Sequence, residues 1–419
     1  MGSLILYRTL TGIRMTCTAR RRVAAALVPF VFLAVLAGCS GHYPNSTFTN
    51  LTEFNRDLRA LWNTMMHWAT VVFIVVEALL IYVIVRYRHR SGAEPKHVHG
   101  NTALEITWTL APAVILVFIA VPTVRTIWRY ETPPPADAVQ VDVIGHQWWW
   151  EFRYPQYGIT TANELYLPAG RTVTFSIRTQ DVIHSFWIPQ LAGKRDATWQ
   201  KKANRLWFTL DSTGIAAFNG SCNEFCGASH ANMRFRVYTV APADFESWAQ
   251  HQRGPAVFGA APQVGVAAGS GGPATVALAA NPVQPSVQGY VFPRDSLPDH
   301  ILPKTPLPTS VRFDDALLAS GDPQRGLETY SRSACIGCHR IQGNPMSLGT
   351  IGPDLTHIAS RHTIAAGLYP NEPRFLARWI KNARAMKPGV LMNTLGKGEF
   401  DPVTKVVIEA GGLTDQQIA

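Results

Sequence analysis

Two long apolar runs in the first third of the chain constrain its fold more than any other feature. The first extends from His67 to Val85 and the second from Ile106 to Ile127. Each is close to the roughly 20 apolar residues that an α-helix needs to cross a bilayer. The loop between them is basic, which is typical of the cytoplasmic side; its cations are Arg86, Arg88, Arg90 and Lys96. The sequence therefore predicts a two-helix transmembrane hairpin within residues 39–131, with both ends on the outer side of the membrane.

A leader of residues 1–38 precedes the hairpin. Arg20-Arg21-Arg22 is followed by an apolar segment that leads into Leu36-Ala37-Gly38-Cys39. Positive charge, a short apolar core and small residues at the cut define a secretory signal peptide. The last four residues resemble a bacterial lipobox, so we expect residues 1–38 to be a lipoprotein signal peptide and Cys39 to carry lipid. The alternatives are ordinary signal cleavage with an incidental Cys39, and a true start at Met15 rather than Met1.

The composition indicates several domains and argues against one class of partner. The 419 residues are 47% hydrophobic, which is enough for two or three domains. The net charge of +10 is concentrated early, because the first 38 residues contain five arginines and no acid. In residues 136–253, 11 basic residues are matched by 10 acidic ones, so no nucleic-acid surface is expected. The six cysteines can each be assigned a role without a disulfide; they are Cys17, Cys39, Cys222, Cys226, Cys335 and Cys338.

Residues 132–253 have the pattern of an all-β domain. Thr132-Pro-Pro-Pro135 ends the second apolar helix. Short β-rich runs separated by Gly and Pro follow, which is typical of a sandwich or barrel. The runs are Val139–Ile144, Glu164–Leu167, Arg171–Arg178, Asn204–Leu210 and Arg234–Val240. The unusual sequence from Gly145 to Trp150 contains three consecutive tryptophans, Trp148-Trp149-Trp150. We predict that it precedes the main strands of this domain.

A cluster of soft metal donors lies in the second half of this domain. Cys222, Cys226, His230 and Met233 fall within twelve residues, and His184 lies upstream. Thiolate, imidazole and thioether are the donors that copper prefers. Two thiolates this close can bridge two metals, so the pattern favours a dinuclear copper centre. A structural zinc site or a disulfide is the alternative, although the methionine argues against zinc.

At these positions the sequence resembles subunit II of cytochrome c oxidase. The resemblance covers about residues 50–253 and rests on the pattern His184…Cys222-x-Glu224-x-Cys226-x3-His230-x2-Met233. It implies a cupredoxin sandwich over residues 132–253. It also implies a CuA copper pair bound by those histidine, cysteine and methionine side chains and by the backbone carbonyl of Glu224. The Glu224 carboxylate would reach a magnesium ion at the interface with subunit I.

The resemblance assigns roles to two further residues. Trp148 would lie beside the copper pair and receive the electron; the alternative is that all three tryptophans pack against the membrane or subunit I. Glu105, at the cytoplasmic end of the second span, would mark the entrance of a proton pathway into subunit I. Its alternative is an interfacial carboxylate in contact with water.

The last part of the chain contains a second redox motif. Residues 254–309 are rich in Ala, Gly, Pro and Val, which is typical of a linker. Cys335-Ile-Gly-Cys338-His339 is typical of covalent haem c attachment, with His339 as an iron ligand; a redox dithiol is the alternative. Together with Gly352-Pro353-Asp-Leu355, this motif makes residues 310–419 resemble an all-α class I cytochrome c.

Met392 is predicted to be the second axial haem ligand. Met346 follows His339 too closely, behind Gly343 and Pro345, and Met386 ends a predicted helix over Pro373–Ala385. Met392 follows Lys387-Pro388-Gly389, and the cytochrome family places its ligand in the same Lys-Pro-Gly-x-x-Met context. That family normally begins its last helix near Leu413–Ala419. We therefore expect either a fragment that is truncated there or a haem domain that closes differently.

The two metal modules together resemble subunit II of the caa type of oxidase. Electrons would pass from an external donor, such as a cytochrome c or a cytochrome bc complex, to haem c, to CuA and then to subunit I. There oxygen is reduced and protons are pumped, with subunit III as a further partner. The implied location is a bacterial inner membrane, with both metal domains on the periplasmic side.

Two alternatives to this reading stay open. One is the electron-entry subunit of a CuA-type nitric oxide reductase, which Glu224 weakly disfavours. The other is a lipid-anchored redox carrier without a catalytic partner, which the two spans disfavour because lipid alone would suffice as an anchor.

Overall fold

A computed structural model of the chain describes residues 43–88, 99–200, 202–258 and 289–419, together with Leu33. The predicted lipidation site Cys39 lies outside the described residues. The predicted signal peptide apart from Leu33, the middle of the predicted linker, and Arg90 and Lys96 of the basic loop also lie outside the described residues.

Two long helices confirm the predicted hairpin of transmembrane segments. Helix α1 spans Glu53–Arg86 and helix α2 spans Thr102–Glu131. Both are long and apolar enough to cross a bilayer, and their most apolar windows are not buried by the rest of the chain. The Thr52 hydroxyl caps α1 and the Asn101 side chain caps α2, each by accepting a backbone N–H of the first turn.

The domain after the helices is a sandwich of two five-stranded sheets. The first sheet has the order β3-β2-β1-β5-β8 and the second has the order β4-β10-β9-β6-β7, and β1–β5 and β4–β10 are the parallel pairs. The strands are β1 Val139–His146, β2 Trp149–Tyr154, β3 Ile159–Ala162, β4 Glu164–Pro168, β5 Thr172–Thr179, β6 His184–Trp187, β7 Arg195–Ala197, β8 Asn204–Thr209, β9 Ala216–Cys222 and β10 Arg234–Val240. All five predicted strands are present.

An aromatic cluster fills the space between the sheets. Trp150 and Phe152 of β2, Phe186 of β6 and Phe235 of β10 are fully buried and contact one another at ring distances of 4.9–6.3 Å. The prediction that Trp148–Trp150 precede the main strands is wrong. Trp148 lies in the turn between β1 and β2, and Trp149 and Trp150 begin β2, which pairs with β1 in a tight hairpin.

The second sheet is covered on its outer face as well. Strands β4 and β10 are buried along almost their whole length, on both faces. Tyr166 stacks on Trp248 of helix α3, which spans Pro242–Arg253, and Tyr238 stacks on Phe292. Arg236 donates to the carbonyls of Ile301 and Gly367. The described end of the predicted linker, residues 289–309, therefore packs on the sandwich, which its composition did not indicate.

The carboxyl-terminal domain has four α-helices, and most of its residues lie outside them. They are α4 Pro323–Arg332, α5 Cys335–Cys338, α6 Pro373–Met386 and α7 Asp415–Ile418. Helix α6 matches the prediction, and α7 lies near the start of this domain, where Gln416 bonds to Ser320. The domain also has a small hairpin, in which β11 Thr363–Ile364 pairs with β12 Tyr369–Pro370. Ala365, Ala366 and Gly367 turn the chain there with positive φ angles. The structure therefore does not confirm the expected all-α fold.

Glu164 is a buried carboxylate between the sandwich and this domain. Its Oε1 accepts the backbone N–H groups of His362 and Thr363 at 2.8 and 2.9 Å and the Thr363 hydroxyl at 3.1 Å. Burial raises the pKa of Glu164 to about 7, against the opposing effects of Arg361 and of these bonds. The folded chain therefore binds a proton that the unfolded chain has released, and stability falls as pH rises towards 7.

We expect Glu164→Gln to remove this pH dependence. The free energy of unfolding of the variant, relative to that of the native chain, should rise by up to about 3 kcal/mol between about pH 5 and pH 7 and stay constant above pH 7. Circular dichroism melting of the full chain in detergent measures the difference. Glu409→Gln, at an exposed site, is the matched control, and parallel curves for Glu164→Gln and the native chain would contradict the assignment.

Candidate metal centre

The predicted copper donors meet at one end of the second sheet. His184 begins β6, Cys222 ends β9, and Met233 directly precedes β10. Strand β9 lies between the other two, with Cys222 opposite Phe186 and Ser221 opposite Arg234. Cys226 and His230 belong to the loop that joins β9 to β10, so three strand ends and one loop supply all five side chains.

The donor atoms lie close enough to share metal ions. Cys222 Sγ is 3.8 Å from Cys226 Sγ and 3.8 Å from His184 Nδ1. Cys226 Sγ is 3.6 Å from His230 Nδ1 and 3.9 Å from Met233 Sδ. The ligand atoms of His184, Cys222 and Cys226 all lie within 4.8 Å of one another, and these residues are buried. Each sulfur thus has its own imidazole, which suits two ions bridged by two thiolates.

The two thiols are not a disulfide, and one of them is prepared to ionise. A disulfide has sulfurs about 2.05 Å apart, whereas these are 3.8 Å apart and free. The hydrogen bond from Cys226 lowers the pKa of Cys222, and His184 and the Glu224 backbone act in the same direction. The same bond and burial raise the pKa of Cys226. A thiolate is the form that binds metal, and the buried thioether of Met233 completes a donor set that fits copper.

Asp181 orients the His184 ligand. Its Oδ1 lies 2.8 Å from His184 Nε2, which leaves Nδ1 facing the Cys222 sulfur. Burial alone lowers the pKa of His184, but the hydrogen bonds with Asp181 and Cys222 outweigh it and raise the pKa. Gly145 permits the ring position, because a Cβ there would lie 2.6 Å from His184 Cδ2. Neither Asp181 nor Gly145 was singled out from the sequence, although the Asp-x-x-His spacing carries the signal for Asp181.

The three consecutive tryptophans have different environments. Trp148 is 8% exposed and its Nε1–H donates to the Cys226 carbonyl at 3.0 Å. Trp149 stacks on His146 at 4.1 Å. Trp150 is fully buried and touches the His184 ring edge-on. The alternative that all three pack against the membrane or a partner is therefore wrong for Trp150, which belongs to the sandwich core.

The two glutamates with predicted roles are both exposed. The backbone carbonyl of Glu224 lies 3.3 Å from Cys222 Sγ, beside the donor cluster, while its side chain faces outward. Glu105 lies in the first turn of α2, with its side chain exposed.

A largely apolar cleft borders the copper domain. Its empty volume is about 1220 Å³, including the space open to solvent. Cys335, Cys338, His339 and Met392 line it, and so do Trp148 and Trp149. The apolar part of the wall is formed by Ile351, Leu355, Ile358, Leu376, Trp379, Val390 and Leu391. The structure thus brings the second redox motif and the tryptophan turn to one cavity.

Comparisons with known proteins match both the transmembrane helices and the sandwich. The transmembrane-domain family of cytochrome c oxidase subunit II matches residues 51–126, and its periplasmic-domain family matches residues 158–240. Cytochrome c oxidase subunit 2 of Alkalihalophilus pseudofirmus is 30% identical over 382 residues, which cover 88% of this chain and 92% of that protein. The corresponding protein of Bacillus subtilis is 36% identical over 245 residues, covering 54% and 67%. The crystal structure of the periplasmic domain of subunit II from Bradyrhizobium japonicum has 27% identity and a TM-score of 0.27, covering 29% of this chain and 97% of that chain.

A sandwich with a buried histidine–cysteine cluster, joined to two membrane-spanning helices, defines a membrane-bound copper protein. The chain belongs to the cytochrome c oxidase subunit II family and is thus a subunit of an oxidoreductase complex. The sandwich is the copper-binding domain of that subunit, so the zinc alternative is set aside.

We expect two copper ions per chain, because each thiolate can bridge both ions. Metal analysis of the purified full chain should give two coppers and no zinc. Changing Cys222 or Cys226 to Ser should abolish the mixed-valence copper spectrum. Ser221→Ala, at the neighbouring strand position, is the control and should keep it. One zinc and no copper in the native chain would contradict the assignment.

Proposed function

We propose that this chain is the electron-entry subunit of a proton-pumping terminal oxidase of the caa type. An external donor reduces covalently bound haem c, the electron passes to CuA, and subunit I then uses it to reduce oxygen to water. The observation that carries the proposal is the shared cleft. Its walls hold the haem-attachment motif and Met392, and also Trp148, which bonds to the copper-loop carbonyl of Cys226.

The residues of the cleft fit a c-type haem. Cys335 and Cys338 are free thiols at the two ends of helix α5. The Nδ1 of His339 lies 2.8 Å from the Pro353 carbonyl, so Nδ1 donates there and Nε2 is left for iron. Gly352 allows the ring to pack closely, since a Cβ there would lie 2.5 Å from His339 Cε1. When bound, the haem supplies one-electron chemistry at a potential that its axial ligands set.

Met392 is the methionine whose placement supports ligation. It lines the same cleft as His339. Met346 is 60% exposed, and Met386 is buried in the small core of the carboxyl-terminal domain beside Tyr369, whose hydroxyl donates to the Met386 carbonyl.

The comparisons add support for a fused carboxyl-terminal domain. The alignment with the Alkalihalophilus protein takes in 88% of this chain, so it necessarily extends through Cys335–His339. Membership of an oxidase subunit family argues against a redox carrier without a catalytic partner, and against the nitric oxide reductase subunit.

Similarity to the family also supports roles for the copper ligands, for the interface with subunit I and for the membrane anchor. His184, Cys222, Cys226, His230 and Met233 hold the copper pair by their side chains, and Glu224 holds it by its carbonyl. The exposed Glu224 carboxylate contributes to a magnesium site with subunit I. The metal domains lie on the periplasmic side of a bacterial membrane, and Cys39 adds a lipid anchor.

We expect Met392→Leu to remove the second axial ligand while the haem stays covalently attached. The Met-to-iron absorption band should disappear and the haem potential should fall, because a thioether ligand raises it. Spectroelectrochemistry of the full chain measures both. Met386→Leu keeps the buried volume and is the control; loss of the band in that variant, with the band intact in Met392→Leu, would reverse the assignment.

We expect Glu105→Ala to slow oxygen turnover in the assembled oxidase, because the carboxylate delivers protons from the cytoplasmic side. The CuA and haem c spectra should stay native, since Glu105 lies in the first turn of α2 and both sites belong to domains that follow the end of that helix. Turnover measured over a range of pH tests this. Glu131→Ala, at the other end of α2, is the control, and unchanged turnover in Glu105→Ala at every pH would refute the role.

A further inference from the structure

The turn Lys387-Pro388-Gly389 of the carboxyl-terminal domain lies directly on the copper domain. Lys387 is 2% exposed, and its Nζ donates to the carbonyl of Trp148 at 2.6 Å and to that of Ala365 at 3.3 Å. One bond reaches across to the copper domain and the other stays within the carboxyl-terminal domain. A single buried side chain thus joins the two domains at the residue that also bonds to the copper loop.

The two residues after Lys387 continue the same contact. Ser229, in the copper loop between Cys226 and His230, donates its hydroxyl to the Pro388 carbonyl at 2.5 Å. Gly389 has φ +81°, and a Cβ there would lie 2.8 Å from the Trp148 ring. The backbone therefore lies against the indole at a distance that only glycine allows.

Burial of a lysine costs free energy unless its N–H groups are hydrogen-bonded or its charge is paired. Burial lowers the pKa of Lys387 to about 7, but the ammonium and the amine both carry N–H groups, so both forms can make these bonds. An apolar side chain of the same length would fill the space without bonding to the Trp148 carbonyl. The lysine is therefore suited to fixing relative position rather than to packing alone.

We propose that Lys387 is a positioning residue, which holds the carboxyl-terminal domain on the copper domain with Trp148 between the two redox centres. The inference rests on the proposed function. It adds that the path from haem c to CuA is set by this fixed contact and not by transient encounters on a tether. It also gives a reason why an external redox protein delivers its electron to haem c, since the chain itself covers Trp148.

The test compares Lys387→Met with Lys397→Met, an exposed lysine of the same domain, in the full chain loaded with both centres. Flash photoreduction of haem c followed by absorbance at the haem and CuA bands measures transfer between them. We expect a roughly tenfold or larger fall in that rate for Lys387→Met, since small misplacements of redox partners act strongly, and no change for Lys397→Met. Hydrogen–deuterium exchange of residues 144–150 should increase in Lys387→Met alone.

The outcomes separate the inference from the proposed function. A chain without covalent haem or without the CuA spectrum would overturn the proposed function before any rate is measured. Native spectra with an unchanged rate and unchanged exchange in Lys387→Met would overturn the inference alone. If Lys387→Met does not fold, Ser229→Ala removes the neighbouring bond and should slow transfer severalfold; a native rate in that variant would overturn the inference instead.

Discussion

The pairing of β9 with both β6 and β10 is the constraint on which the copper centre depends. Cys222 lies opposite Phe186, so His184, two places before Phe186, lies at the same end of the sheet as Cys222. Ser221 lies opposite Arg234, so Met233 lies at that same end, on the side of β9 away from β6. A slip of one residue in either pair would turn a donor to the opposite face of the sheet. The aromatic core between the sheets resists such a slip, since the slip would expose Phe186 or Phe235.

A short hydrogen-bonded network extends this order from the ligands to the carboxyl-terminal domain. Asp181 accepts the Gln147 backbone N–H at 2.6 Å and contacts His184. Gln147 and Trp148 both donate to the Cys226 carbonyl. The turn between β1 and β2 is therefore tied to one histidine ligand and to one cysteine ligand. A network whose members are all hydrogen-bonded favours a single arrangement, which suits a site that must keep its geometry in two oxidation states.

The sequence predicted what depends on local pattern and chemistry. The hydropathy of the two helices, the alternation of five strands and the soft-donor spacing were sufficient for the transmembrane hairpin, the sandwich and the copper cluster. The sequence did not predict β2, β3, β6, β7 and β9. Of these, β3, β6 and β7 have four residues or fewer, and β7 carries polar residues such as Asp196. Contacts between segments distant along the chain were also missed. Nothing local to Lys387 indicates that its partner is the Trp148 carbonyl, which is 239 residues away.

The covered outer face of the second sheet was the other feature that local pattern could not indicate. In β10, Arg236 and Tyr238 alternate with Phe235 and Val237, so the strand looks like one with a wet face. Residues 289–301 and the hairpin after Arg361 lie over that face.

This covering has a consequence for any attempt to prepare the copper domain by itself. A chain cut after residue 258 would lose Phe292 from Tyr238 and the backbone donors of His362 and Thr363 from Glu164. The newly exposed surface would include the Tyr238 ring, together with a carboxylate and a guanidinium that have lost partners. Exposed aromatic surface promotes self-association. The length at which such a fragment stays soluble is therefore set by the third layer of the fold and not by the boundary of the sandwich.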